Sequence, residues 1–195
     1  MNRVELLKNA KPILFNTEMV QAILEGRKTV TRRKIDRDIT NFCDVDTDGT
    51  LLDYQNCDGD FINPVDLCRY RKGDILWVRE TWQKIDKTYF YKADNDSEDW
   101  GMSWKPSIHM PKVAARIFLK VTDVRVEKLQ DITEMQVRKE GFRDYLAADD
   151  TFYPCGYYFR QTWDSTINKQ NLDKYGWEAN PWVFVIALER VEVVK

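Results

Sequence analysis

Two rhythms of apolar residues run along the chain. From Val113 to Leu129 ("VAARIFLKVTDVRVEKL"), residues Val113, Ala115, Ile117, Leu119 and Val121 recur at every second position. That is the period of a strand with one buried face, and its length predicts a long, bent strand. The segment "NPWVFVIALERVEVV" is apolar on both faces from Trp182 to Leu188, as in a strand covered on both sides. Shorter extended runs are expected at "PILF" after Lys11, in "KGDILWVRETW", where a turn precedes the strand, and at "TYFYKA".

The helical rhythm occurs three times. Met19, Val20, Ile23 and Leu24 share one face of a helix that Thr17 can cap and Gly26 can stop. In "DITEMQVRKEG" Thr133 and Gln136 have capping-box spacing, and Gly141 ends the helix. In "YYFRQTWDSTI" Phe159, Trp163 and Ile167 form one stripe. The order of strand, helix, several strands, helices and strand predicts an α+β fold built on a small mixed barrel or strongly curved sheet. Regular βα alternation and a glycine-rich phosphate loop, the marks of a doubly wound sheet, are missing.

Two stretches interrupt these patterns. Residues 34–66 hold nine aspartates against Lys34 and Arg37 alone, and residues 94–104 are acidic. Both read as insertions within a single domain spanning 1–195. Asp44, Asp46, Asp48 and Gly49 have the spacing that opens a calcium loop, but Gln55 stands where a bidentate Glu is required. A hairpin turn with solvated aspartates is the expectation.

A 43% hydrophobic content with seven Trp predicts a well-packed core. The formal net charge of −2 excludes a surface uniformly coated in positive charge, so any polyanion site must be local. Cys43, Cys57, Cys68 and Cys155 form no C-x-x-C pair and His109 is the only histidine, so reduced thiols are expected and neither a metal nor a cofactor is called for. No apolar stretch reaches the length of a membrane span and "MNRVELLKNAKPILF" lacks a leader pattern, from which a cytoplasmic protein without a membrane partner is expected.

Local positive charge is concentrated in "ILEGRKTVTRRK", Ile23 to Lys34, at a helix-to-strand junction. Arg27, Lys28, Arg32, Arg33 and Lys34 surround the hydroxyls of Thr29 and Thr31. A Thr hydroxyl becomes a nucleophile when a neighbour takes its proton, and a Lys can do so when burial or like charge lowers its pKa. On a straight strand Lys28 and Thr31 face opposite ways, so their pairing needs a turn after Gly26, whereas Thr29 is the easier partner in other conformations.

The string G-R-K-T-x-T-x-R, followed by "KGDILWVRETW", "PSIHMPKVAARI", "LQDITEMQVRKEGF", "WDSTI" and "NPWVFVIALERV", resembles the ASCH domain, a PUA-like family associated with RNA and modified nucleobases, and in particular its longer phage and prophage members. The resemblance implies a PUA-like small mixed β-barrel with short flanking helices. One branch of the family deacetylates acetylated cytidine. Its catalytic Lys, Thr and Glu fall on Lys28, Thr31 and Glu140. The implied mechanism is attack on an amide carbonyl by Thr31, with Lys28 taking its proton and Glu140 moving a proton to the leaving amine or positioning Lys28. Arg33 is implied to hold the substrate or its oxyanion, and Arg27, Thr29, Arg32, Trp77, Arg79 and His109 are further candidates for substrate contact. Other members are taken to be RNA-binding modules or ribonucleases, which implies a nucleoside or RNA partner. In that reading Lys28, Arg32, Arg33 and Lys34 contact phosphates and Trp77, Trp82 or Trp104 stacks on a base.

Overall fold

The computed structural model describes residues 2–36, 43–45, 51–55, 61–94 and 103–193, with 43–45 and 51–55 as backbone only. The chain opens on a short helix, α1 (Arg3–Asn9), closed by a reciprocal cap between Asn2 and Glu5. Periodicity did not predict it, because Leu6 is its one buried residue. Strand β1 (Lys11–Leu14) leads into α2 (Thr17–Leu24). The cap of α2 is Asn16, not Thr17: its Oδ1 accepts the Met19 N–H at 2.8 Å. The Asn side chain one position earlier has an amide oxygen that reaches the third helical N–H, leaving Thr17 inside the first turn. Gly26, at φ +76°, turns the chain off the helix in the left-handed conformation that glycine tolerates.

Strand β2 (Val30–Lys34) follows. Next, β3 (Cys43–Val45), β4 (Leu51–Gln55) and β5 (Phe61–Ile62) form their own antiparallel three-stranded sheet within the acidic stretch. Asp46, Asp48 and Gly49 of the calcium-like spacing lie outside the described residues, as do 95–102 of the second acidic stretch. Strand β6 (Ile75–Arg79) returns to the main sheet, and β7 (Trp82–Ile85) and β8 (Thr88–Tyr91) make a separate hairpin. The long strand β9 (Phe118–Lys128) begins five residues later than its alternation predicts. Residues Lys112–Ala114 instead form a 3₁₀ turn after Pro111, which leaves Val113 exposed. Helix α3 (Glu134–Lys139) carries the expected capping box of Thr133 and Gln136. The small hairpin β10 (Tyr145–Leu146) and β11 (Phe152–Tyr153), helices α4 (Cys155–Thr166) and α5 (Leu172–Tyr175), and strand β12 (Trp182–Val191) complete the order.

The main sheet runs β1-β6-β9-β12-β2, antiparallel except for the parallel pair β1 and β6. Strand β12 lies between β9 and the edge strand β2, and its double-faced apolar pattern has a direct cause. Val183 and Val185 pack with Phe159 and Trp163 of α4, while Phe184, Ile186 and Leu188 join the core that includes Val20 and Ile23 of α2. The architecture is mixed α+β, as expected, but the described strands do not close into a barrel. Instead the two edges come together through a side chain: Arg33 of β2 donates from Nη2 to the Leu14 carbonyl of β1 at 2.8 Å. Its guanidinium carbon lies 5.3 Å from the centre of the next ring, Phe15. The sheet is therefore rolled, with a seam between β1 and β2 bridged by an arginine and not by backbone hydrogen bonds. Among the described residues, no helix is long and apolar enough to cross a membrane.

Candidate functional site

The seam opens into a cavity of about 440 Å³, within the range of about 300–1,000 Å³ ordinary for small-ligand sites. Phe15, Phe142, Phe159 and Trp163 supply aromatic wall, and Thr31, Thr81, Ser107 and Thr162 supply polar groups. Lys28, Arg32, Arg33 and Glu140 line it as well. Thus the Lys, Thr and Glu singled out in the sequence share one cavity, although 109 positions separate Thr31 from Glu140.

Their meeting depends on how α2 and α3 end. Both Arg27 and Lys28 donate their backbone N–H to the Ala22 carbonyl, at 2.9 and 3.0 Å, so the chain doubles back under α2 before β2 starts. The Thr29 N–H then donates to the Lys139 carbonyl of α3 at 2.8 Å. At the end of α3, Gly141 has φ +101°, and a Cβ there would stand 2.7 Å from the Ala22 Cβ and 3.2 Å from the Lys28 Cβ. Glycine at this position lets the two helix ends approach closely enough for Lys28 to reach Glu140.

Lys28 is buried, with its side chain 2% exposed, and Nζ donates to Glu140 Oε2 at 2.7 Å, the Glu140 carbonyl at 2.9 Å and the Val30 carbonyl at 2.8 Å. Three acceptors match the three N–H bonds of an ammonium group. Burial pushes the Lys28 pKa below its usual value; the Glu140 carboxylate opposes that shift, and Arg33 and Arg32 add to it. Lys28 Nζ also sits 5.4 Å from the centre of the Phe15 ring. The Glu140 carboxylate receives a second cation on its other oxygen, Arg32 Nη1 at 3.1 Å. Arg32 in turn contacts Glu127 of β9 and donates to Gln136 Oε1 at 3.3 Å. Each buried ion would cost several kcal/mol alone, so this chain of pairings is what permits the charges to stay inside. One donor is left over: Arg32 Nε is buried and has no partner among the described residues, a deficit of about 1–3 kcal/mol.

Thr31, 3% exposed, faces the cavity and its hydroxyl has no hydrogen-bond partner among the described residues. Arg33 has no carboxylate within ion-pair distance among the described residues; burial, acting against its charged form, lowers its pKa.

The other sequence candidates stand elsewhere. Arg27 pairs with Glu25 at 2.5 Å and with the Gly141 carbonyl, outside the cavity lining. Thr29 is exposed and acts through its backbone, its carbonyl accepting the Leu188 N–H at 2.8 Å. Trp77 is buried with Leu6, Ala10, Ala115 and Phe118, far too enclosed to stack on a ligand base. Arg79 lies over Trp77 at 5.5 Å and donates to the Ile108 carbonyl. His109 is exposed in a 3₁₀ turn, whereas Ser107 of the same turn lines the cavity. Trp82 is buried against Met110 and Ala114. Strand alternation alone could not separate inward from outward tryptophans here, because both faces of the sheet are covered.

Sequence reasoning missed Glu127, Gln136, Phe142 and Trp163 as site residues. Gln136 and Trp163 were legible only as a cap and as an apolar stripe, and nothing local marks Glu127 as the partner of an arginine 95 positions away. Cys68 and Cys155 are free and buried, and burial pushes both thiols up, so neither is poised as a nucleophile. No protein-family model, curated protein or solved structure matches the chain.

Proposed function

We propose that this protein hydrolyses an amide on a nucleobase, with acetylated cytidine as the substrate, and that its rolled sheet is of the PUA-like kind with the seam as the active site. The observation that carries this reading is the convergence of Thr31, Lys28 and Glu140 in one small cavity with aromatic walls. A flat base fits between aromatic rings, and an exocyclic amide can then lie against a free hydroxyl.

In the resting arrangement Lys28 holds three protons and cannot accept a fourth. The proposed first step is therefore transfer of one Lys28 proton to Glu140 Oε2, 2.7 Å away, giving a neutral amine beside a carboxylic acid. Loss of charge relieves the desolvation that already lowers the Lys28 pKa. Thr31 Oγ then attacks the amide carbonyl while its proton passes to Lys28 Nζ. The carbonyl–nitrogen bond breaks, the leaving amine takes the proton held by Glu140, and an acetyl ester remains on Thr31. Water hydrolyses that ester, releasing acetate and restoring the hydroxyl. Arg33, which has no carboxylate within ion-pair distance among the described residues, would stabilise the oxyanion.

The test is release of acetate from acetylcytidine by the wild-type protein and by Thr31→Ala. Turnover by the wild type that Thr31→Ala abolishes supports the reading. Absence of turnover by a folded wild type overturns it. A noncatalytic nucleic-acid or modified-base binding module is the second reading, favoured by one feature: every donor of Lys28 is already satisfied internally.

A further inference from the structure

The hairpin of β10 and β11 stands apart from the main sheet. Its pairing sets Tyr145 opposite Tyr153 and Leu146 opposite Phe152, so side-chain alternation sends the two pairs to opposite faces. The tyrosine face rests on α4: Tyr145 meets Tyr158 at 6.1 Å between ring centres, and Tyr153 meets Tyr157 at 5.2 Å. The other face is open, with Leu146 and Phe152 61% and 62% exposed. Tyr145 and Tyr157 are themselves about half exposed, so apolar surface wraps the hairpin. A two-stranded hairpin is marginally stable by itself, and a grouped apolar patch of this kind marks a contact surface.

The charges on the hairpin have one sign. From Asp144 to Phe159 the sequence holds no Lys, Arg or His. Asp149 and Asp150, at the turn, are exposed and have no cation within ion-pair distance among the described residues. The complementary surface lies next to it. An open hollow of about 380 Å³ along α3 is lined by Met135 and Phe142 and by Arg27, Arg138, Lys139 and Arg143. Met135 is exposed, and Lys139 is exposed with no carboxylate within ion-pair distance among the described residues. Arg138 and Arg143 hold Asp144 and Glu25 through pairs in which the arginine side chains are 49% and 66% exposed; such pairs are weak and can exchange partners. Aromatic residues, Met and Arg are also the types that protein interfaces concentrate.

We propose that the β10–β11 hairpin of one copy of this chain docks in the α3 hollow of a second copy, and the reverse, to form a two-fold dimer. Leu146 and Phe152 then cover Met135 and Phe142, and Asp149 and Asp150 face Lys139 and the arginines beside it. Charge complementarity selects the occupant: an apolar tip carrying unpaired anions fits an apolar hollow carrying an unpaired cation. Within one chain the two surfaces leave each other uncovered, since Leu146, Phe152 and Met135 all remain exposed. Asp144 alone separates the last residue of the hollow, Arg143, from the start of β10. The two surfaces therefore adjoin, and one two-fold axis beside them makes both contacts at once and closes the assembly. The proposal is independent of the reaction assigned to the seam.

Sedimentation equilibrium of the full chain over a range of concentrations tests it. The mass should rise with concentration from 23.2 kDa toward double that value. Leu146→Asp/Phe152→Asp in the hairpin and Met135→Asp/Lys139→Glu in the hollow should each weaken association about tenfold or more, the scale of losing an interface anchor. Mixed together, the two variants should associate with each other more tightly than either does with itself, because the mixed pair keeps one intact hairpin facing one intact hollow. A monomer at every concentration overturns the proposal, and so does a dimer that the hairpin variant forms as readily as the wild type. A dimer weakened by the hairpin variant but indifferent to the hollow variant places the hairpin on another surface and overturns its docking on α3. Circular dichroism checks that each variant is folded. If Leu146→Asp/Phe152→Asp is not, Asp149→Lys takes its place, with a smaller loss expected and partial recovery when it is combined with Lys139→Glu.

Discussion

Arg33 on β2 and Leu14 on β1 belong to strands at opposite edges of the main sheet, yet the Arg33 guanidinium donates to the Leu14 carbonyl at 2.8 Å. One side chain thus spans the gap that backbone hydrogen bonds would fill in a closed barrel. An open seam has a functional consequence, because backbone pairing would occupy the volume that the cavity uses. The seam also explains why residues from both faces of β2 line one hollow: at a free edge, Thr31 and Arg33 from one face and Arg32 from the other can border the same space.

Lys28→Arg tests the chemistry at constant charge. A guanidinium cannot serve as a proton acceptor at neutral pH, and its planar fork does not reproduce three tetrahedral contacts. Acetate release is expected to fall below detection, while calorimetry should still record nucleotide binding. Full activity in this variant would remove Lys28 from the mechanism.

The pH dependence follows from the lowered Lys28 pKa. The proposed reacting state, a neutral Lys28 beside a protonated Glu140, holds as many protons as the resting ion pair, so turnover should be level below that lowered value and fall as pH rises through it, when the pair loses the proton that Glu140 gives to the leaving amine. Stability moves in the opposite direction. Between the lowered native value and the ordinary 10.5, the unfolded chain carries a proton that the native protein lacks, so native stability grows with pH across that window. Titration of the Lys28 ε-carbon by NMR checks both, with a midpoint below those of the exposed lysines expected.

Gly141→Ala should damage the site without removing any of its functional groups. The methyl group would meet the Ala22 Cβ at 2.7 Å on a backbone at φ +101°. Strain and overpacking together amount to about 2–4 kcal/mol. The ends of α2 and α3 must separate, and Lys28 loses contact with Glu140. A lowered denaturation midpoint and a loss of acetate release in the fraction that remains folded are the expected results.

A second buried ion pair supports the fold beside the seam. Glu80, 1% exposed, takes Arg116 Nε and Nη2 on its two oxygens, both at 2.8 Å. Removing the arginine strands a buried carboxylate, and Arg116→Met is expected to cost about 3 kcal/mol or more. Burial raises the Glu80 pKa above 4.5, with Arg116 opposing. The stability this group confers is therefore complete below pH 4.5 and is lost as pH rises through the raised value. Glu80→Gln should flatten that segment of the stability profile in urea denaturation measured from pH 4 upward.

Much of this protein was legible in its sequence alone. The capping box of α3, the apolar stripe of α4 and the covered strand β12 appeared as read, because each is set by contacts within a few residues or by burial on a sheet face. The mixed α+β class followed from element order. The shared cavity of Lys28, Thr31 and Glu140 lay within reach of the motif resemblance. Tertiary structure decided the rest. Trp77 and His109 carry the residue types of a nucleobase site, but one is sealed against α1 and the other faces solvent. Glu127 and Gln136 carry no local signal, yet they anchor the arginine that holds Glu140. Periodicity reports which side of its own element a residue occupies, and capping reports where an element stops. Which edge stays open, and which buried charges find one another across a hundred residues, depends on how the whole sheet rolls.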